Sequence, residues 1–243
     1  MLAVAYAAEF IDSQDFNGEV YVCLKTPRYV TNFNIMEIIS HFGVKVCMSL
    51  PYFYAFTGCD TTSSFFGKGK CKVFDFWMKS ELKDDLILLF IKLSQHPVDL
   101  HISELDLLQR FVLQIYGIRA LPNQSHGYTR MLSFVKLPDN ETRNLIPSKD
   151  ALLQHARRAV YQAGYVWREA VADDPLPNPE QWGWKKDGSK FIPLWVSAES
   201  AERELSHLIT TCSCRTVKCK KCKCASSKLA CLPMCGCGGR CIA

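Results

Sequence analysis

Apolar positions along the chain fall into short blocks separated by turn-forming residues. Residues 1–11 are apolar enough for either a helix or a buried strand, and Asn17-Gly18 marks a turn after them. Residues Glu19 to Leu24 are rich in β-branched and aromatic side chains, which predicts a buried strand. Asn34 stands where it can cap a helix over Ile35 to Phe42. Ile35, Ile38, Ile39 and Phe42 share a face of that helix, and Gly43 closes it. Such alternation of strand, turn and helix predicts an α/β core. A second apolar run, Val44 to Phe56, leads into the polar cluster Thr57 to Ser64. Phe65-Phe66, the turn Gly67-Lys68-Gly69-Lys70 and a helical stretch through Trp77 follow.

Beyond Trp77 the period is helical. Leu82, Leu86, Leu89, Phe90 and Leu93 recur at helix spacing and stop at His96-Pro97. Ser103 is placed to cap a helix over Glu104 to Tyr116, with Asp106 completing a short capping box and Gly117 as the stop. Residues 118–147 are interrupted by prolines. Ser148 opens the longest helical pattern, Lys149 to Val171, with the stripe Leu152, Leu153, Ala156, Ala159, Val160, Ala163 and Trp167. Arg157, Arg158 and Arg168 read as solvated charge on its other face. Ala172 to Pro179 reads as a linker, and the tryptophan-containing segments around Gln181 to Trp184 and Ile192 to Trp195 as aromatic packing in an irregular region. A short amphipathic helix, Ala198 to Leu208, precedes the end of the chain. The pattern divides into 1–117 (α/β core), 118–171 (helical extension), 172–209 (linker and aromatic region) and 210–243.

Composition sharpens the last boundary. A chain of 243 residues accommodates one sizeable core and a small appendage. The net charge of +5 is uneven, because seven lysines and arginines and no carboxylates lie after residue 210. The remaining residues are therefore slightly acidic, and contact with a polyanion is expected at the end of the chain. No apolar stretch approaches the roughly 18 residues that span a bilayer. Met1 to Ala8 lacks a basic flank and is cut short by Glu9 and Asp12, which does not fit a secretory signal. A reducing compartment, nuclear or cytoplasmic with the nucleus preferred, is the expectation.

Nine of the 13 cysteines fall in the same basic segment, at Cys212, Cys214, Cys219, Cys222, Cys224, Cys231, Cys235, Cys237 and Cys241. Their spacing is C-x-C-x4-C-x2-C-x-C-x6-C-x3-C-x-C-x3-C. Few larger apolar side chains accompany them, so hydrophobic burial is not enough to fold this piece. Thiolates hold zinc at about 2.3 Å in fours. Three ions need about twelve bonds, which nine sulfurs supply when three of them bridge. That cluster carries about −3, and with the seven basic side chains the segment stays near +4. A disulfide scaffold and a metal-buffering segment are the other uses of dense cysteine. The spacing and its basic filling resemble the tesmin-like CXC domain, a zinc-binding, DNA-binding module. The resemblance implies all nine cysteines as ligands to about three Zn²⁺, with Arg215, Lys218, Lys220, Lys221, Lys223, Lys228 and Arg240 facing DNA. This chain has Lys221 where the family usually has an aromatic, x3 rather than x2 in the last gap, and one repeat rather than two.

Thr57-Gly58-Cys59-Asp60 followed by Gly67-Lys68-Gly69-Lys70 is the second informative run. A carboxylate after an apolar helix suits a hard divalent cation, and a Gly-x-Gly turn entering a helix offers amides to phosphate. Together they resemble the flap-endonuclease (PIN-like) nucleases and a group of animal proteins of mobile-element character. The resemblance implies a partial PIN-like core, Asp60 as a metal-site carboxylate, and Gly67, Lys68, Gly69 and Lys70 as a backbone-gripping turn. Two-metal hydrolysis needs several convergent acids, and Glu9, Asp12 and Asp15 lack the spacing. A degenerate core without hydrolytic activity is therefore the expectation, with Mg²⁺ relevant only to an active nuclease. An active structure-specific nuclease and a zinc-stapled protein-interaction module are the alternatives. The six histidines show no ligand spacing, and Cys23, Cys47, Cys59 and Cys71 read as small packing residues.

Overall fold

The computed structural model describes residues 1–13, 18–118, 129–130, 133, 144–171, 175–196, 211–215, 221–226, 231, 235–238 and 240. It divides into two units, Met1–Trp195 and Val196–Ala243. The first combines helices with two small sheets: α1 (Leu2–Ser13), β1 (Tyr21–Lys25), β2 (Val30–Asn34), α2 (Ile35–Phe42), α3 (Val44–Phe56), α4 (Lys70–Lys79), α5 (Lys83–Gln95), α6 (Ile102–Ile115), α7 (Lys149–Val160), β3 (Trp184–Asp187) and β4 (Lys190–Pro193). Among the described residues no helix is long and apolar enough to cross a membrane.

α3 is the hub. Val46, Cys47, Met48, Ser49, Tyr52, Phe53, Ala55 and Phe56 are all buried, so the helix is covered on nearly every side, as its largely apolar run implies. Tyr52, Phe53 and Phe56 enter the main core with Trp77, Leu86, Phe90, Phe111, Leu152 and Val160. Phe53 stacks on Trp77 at 4.9 Å between centroids, and Phe90 meets Trp77 at 5.1 Å. Cys47 and Met48 face a smaller cluster built by Val4 and Ala8 of α1 and Ile35 and Ile39 of α2. Pro51 lies inside α3 and has no amide to offer the Cys47 carbonyl. The Tyr52 amide donates to Ser94 Oγ of α5 at 3.1 Å, and that hydroxyl donates on to the Phe90 carbonyl at 2.8 Å.

Residues 1–11 resolve as helix. Asn34 caps α2 as predicted, accepting from the Met36 amide at 3.0 Å. Three expectations change. β1 forms but is not buried: it pairs antiparallel with β2, Tyr21 opposite Asn34 and Lys25 opposite Val30, and both strands are largely exposed. A two-stranded ribbon has one face to bury, and here only Val20 and Val22 are packed against the smaller cluster. The strands of the α/β expectation are thus two antiparallel pairs, β1–β2 and β3–β4, rather than a helix-covered parallel sheet, because β1 turns directly into β2. The cap of α6 is His101, not Ser103. Its ring nitrogen faces the Ser103 amide while the Glu104 carboxylate accepts from the His101 amide at 2.8 Å.

The third correction concerns the arginines after Ser148. Ser148 caps α7 through the Ala151 amide at 3.2 Å, and the helix then widens into a π-turn over Tyr161–Val166. Arg157 forms a two-bond pair with Asp99, and Arg168 another with Glu9. Arg158 is not solvated at all. It is 2% exposed and donates through one nitrogen to the carbonyls of Gly183 and Leu194, at 2.9 and 2.8 Å. The turn predicted at Asn17, most of 118–147 and the helix predicted over Ala198 to Leu208 lie outside the described residues.

Candidate metal centre

Four sulfurs of the second unit converge. The Sγ atoms of Cys212, Cys222, Cys224 and Cys231 all lie within 4.8 Å of one another, three of them on buried residues and Cys222 half-buried. Cys212 and Cys231 are 3.7 Å apart, as are Cys224 and Cys235. Four sulfurs about 2.3 Å from a tetrahedral zinc are about 3.8 Å from each other, so these separations fit a zinc-thiolate centre. They are far beyond the roughly 2.05 Å of a disulfide, and none of the described cysteines is in a disulfide.

Local backbone explains the convergence. Lys223–Ser226 forms one helical turn, closed by the Ser226 amide on the Cys222 carbonyl at 2.9 Å. The Ala225 amide also approaches Cys222 Sγ at 3.4 Å, a contact that favours a thiolate. The chain around Cys212 is tied to the chain around Cys235 by the Gly236 amide on the Cys212 carbonyl at 2.8 Å. Only glycine fits at 236, where a Cβ would stand 2.7 Å from the Ser213 carbonyl oxygen. Cys235 and Cys237 are buried beside this crossing. Burial pushes the Cys224 and Cys231 thiols up, and neighbouring Cys235 and Cys237 add to the effect. Without a cation such sulfurs hold their protons. A divalent ion reverses that balance, so loading releases protons.

Of the other residues expected here, Arg215, Lys221, Lys223 and Arg240 are exposed, and Arg240 Nε donates to the Cys237 carbonyl at 3.1 Å. Cys214 is half-buried. Cys219, Cys241, Lys218, Lys220 and Lys228 lie outside the described residues.

The Gly-Cys-Asp run of the first unit has a different setting. The last carbonyls of a helix lack helical partners, and at the end of α3 side chains reach four of them. Two of these, Phe53 and Ala55, also accept the backbone amides of Thr57 and Gly58 at 3.0 and 3.2 Å. Thr57 Oγ1 donates to Phe53 O at 2.7 Å, Lys70 Nζ to Tyr54 O at 2.7 Å, Thr62 Oγ1 to Ala55 O at 2.6 Å and His155 Nε2 to Phe56 O at 2.8 Å. Gly58 sits at φ +106° with its backbone against Ser64, a place closed to any Cβ. Lys70 also donates to Gly58 O and Thr57 Oγ1 and lies 3.6 Å from the Tyr54 ring centroid, so its ammonium is turned into the protein. Burial draws Lys70 down to about 8. Lys68 lies over the Tyr116 ring at 4.8 Å, Gly67 (φ +68°) and Gly69 are exposed, and Asp60 is exposed on the same loop. Burial raises the Cys59 thiol, but bonds from Thr61 and Thr62 outweigh it and hold the thiol below its usual range. Sequence reasoning missed His155 and Lys70 as caps. Their distance from α3 along the chain left no local signal.

No protein-family model, no curated protein and no solved structure matches the chain.

Proposed function

We propose that the chain is a zinc-dependent DNA-binding protein whose second unit is a CXC-type thiolate cluster of about three Zn²⁺. The observation that carries this reading is the convergence of four cysteine sulfurs at zinc-thiolate spacing. Zinc supplies the cross-link that folds a piece poor in apolar side chains, and the cysteines hold and orient it. The basic side chains between them, with Arg215, Lys221, Lys223 and Arg240 exposed, supply the charge that displaces counterions from phosphate. A nuclear location follows from a DNA partner.

The first unit is read as a PIN-like remnant without hydrolytic activity. What supports the second half of that statement is the use made of the Thr57 to Lys70 run. Its hydroxyls, its glycine and its lysine close the end of α3 rather than surround a reacting phosphate.

Metal analysis of the purified chain tests the cluster, with about three zinc ions per chain expected. Fluorescence anisotropy on a labelled DNA duplex tests the function. Binding should weaken steeply with salt, and should be lost on zinc removal, in Cys224→Ser, and when Lys218, Lys220, Lys221 and Lys223 become Ala. Duplex affinity that survives chelation would sink the proposal. Mg²⁺-dependent cleavage of flap or single-stranded DNA that disappears in Asp60→Ala would reinstate an active nuclease.

A further inference from the structure

The β3–β4 ribbon at the end of the first unit has a composition that packing does not explain. Between Trp184 and Trp195 it carries Lys185, Lys186 and Lys190 against a single carboxylate, Asp187, and all four are exposed. No described carboxylate forms an ion pair with any of the three lysines. The register sets Lys186 across from Phe191 and Lys185 across from Ile192, so positive charge stands on both faces of the ribbon. Phe191 is 44% exposed and Trp195 60% exposed, against 7% for Trp182 just before the ribbon. Trp195 is therefore not the packing residue expected of its segment.

The base of this ribbon is held with unusual care. Gly183, at φ +80°, lies so close to α7 that a Cβ would stand 2.4 Å from the Gln154 carbonyl oxygen. The Leu194 amide closes the base on the Gly183 carbonyl at 2.9 Å. Arg158 then bonds the carbonyls of both Gly183 and Leu194 from below, with its Cζ 5.9 Å from the Trp184 ring and 5.4 Å from the Trp195 ring. A buried guanidinium is costly to keep, and this one makes no ion pair with a described carboxylate. Its two bonds and two ring contacts fall on the residues that bracket the ribbon. Trp195 is thus fixed over a cation and still open to solvent.

We propose that the β3–β4 ribbon is a binding site for single-stranded nucleic acid, separate from the cysteine cluster. Unpaired bases stack on Phe191 and Trp195. Lys186, on the same face as Phe191, and Lys185 and Lys190, on the other face, hold phosphates of a strand that wraps the ribbon. Arg158 acts as a positioning residue for the stacking ring. Duplex DNA hides its base faces and fits this surface less well. An anionic membrane also attracts lysines, but the ribbon's end, Asp187 to Lys190, is polar and offers no apolar tip to enter a bilayer.

The test uses the full chain with Arg215, Lys218, Lys220, Lys221 and Lys223 already changed to Ala, so that the cysteine segment's DNA contacts do not mask the ribbon. Anisotropy is measured with a labelled oligothymidylate, its RNA equivalent, a hairpin duplex and vesicles of phosphatidylserine and phosphatidylcholine. Phe191→Ala with Trp195→Ala should weaken single-strand binding about tenfold or more and leave the duplex nearly unaffected. Lys185, Lys186 and Lys190 are exposed, so replacing them with Ala leaves the fold intact. That triple variant should lower the salt slope for single strands by about 2. Single-stranded DNA should also quench tryptophan emission, less so in Trp195→Phe. The DNA and RNA arms report which polymer is preferred, and tighter binding of either than of the duplex supports the site. Single-strand affinity within about twofold of the parent in the lysine variant, equal affinity for the duplex, or a preference for vesicles would overturn it.

Discussion

His155 shows how one side chain couples distant parts of the first unit. Nε2 donates to the Phe56 carbonyl, which accepts only, so Nε2 carries a proton; a second proton on the buried Nδ1 would have no acceptor, which keeps the ring neutral. Burial, aided by nearby Arg158 and opposed by the Phe56 bond, lowers its pKa from 6.5 to about 4. On acidification the unfolded chain takes up this proton first, so the contribution is complete above the unfolded value. It is lost as pH falls from about 6.5 toward 4, for a total of about 3 kcal/mol. Urea midpoints between pH 7 and 4 should therefore fall more steeply in the parent than in His155→Gln, which retains a donor but does not titrate. Equal slopes would show that the ring is not held neutral. Lys70 offers a second residue-scale check. Lys70→Met keeps the aliphatic stem but leaves the Tyr54 and Gly58 carbonyls without their donor, and should cost about 1–3 kcal/mol in chemical denaturation.

At the scale of elements, caps and glycines decide where helices stop and ribbons attach. α2 and α7 begin at Asn34 and Ser148 because an oxygen at each position takes an otherwise unpaired amide. Within the π-turn after α7, Gly164 passes the Leu93 carbonyl and Pro97 too closely for any Cβ. In the β3–β4 ribbon two glycines share a positive φ but differ in surroundings. Gly188, at φ +58°, has open space around it, whereas Gly183 lies against α7. Gly188→Ala should cost about 1 kcal/mol, the strain of the left-handed backbone alone. Gly183→Ala adds a collision with the Gln154 carbonyl and should cost about 3 kcal/mol or more. Similar urea midpoints for the two variants would mean that the ribbon is not seated on α7.

For the whole molecule, the two units rest on different forces. The first buries an aromatic core around α3, and the described residues of the second bury cysteine sulfurs. All five tryptophans belong to the first unit, so their emission reports it alone. Adding a zinc chelator should leave tryptophan emission and the far-ultraviolet helix signal nearly unchanged. Proteolysis after chelation should become fast within 196–243, leaving a fragment ending near Trp195. Loss of the helix signal on chelation would show that the first unit depends on the metal.

The sequence by itself determined what rests on neighbours along the chain. Helical periods located most of the helices, Asn34 and Ser148 marked two caps, and cysteine spacing pointed to sulfurs that the fold brings together. It also separated a basic, cysteine-rich end from a slightly acidic remainder. Tertiary structure decided what depends on partners far apart in sequence. β1 is an exposed ribbon strand because its partner is β2 rather than a central sheet. Arg158 is buried because Gly183 and Leu194 present their carbonyls to it. The Thr57 to Lys70 run locks a helix end that His155 completes from 99 residues away. Periodicity and propensity are local properties, whereas the burial of a charge and the satisfaction of a helix end are settled only by packing.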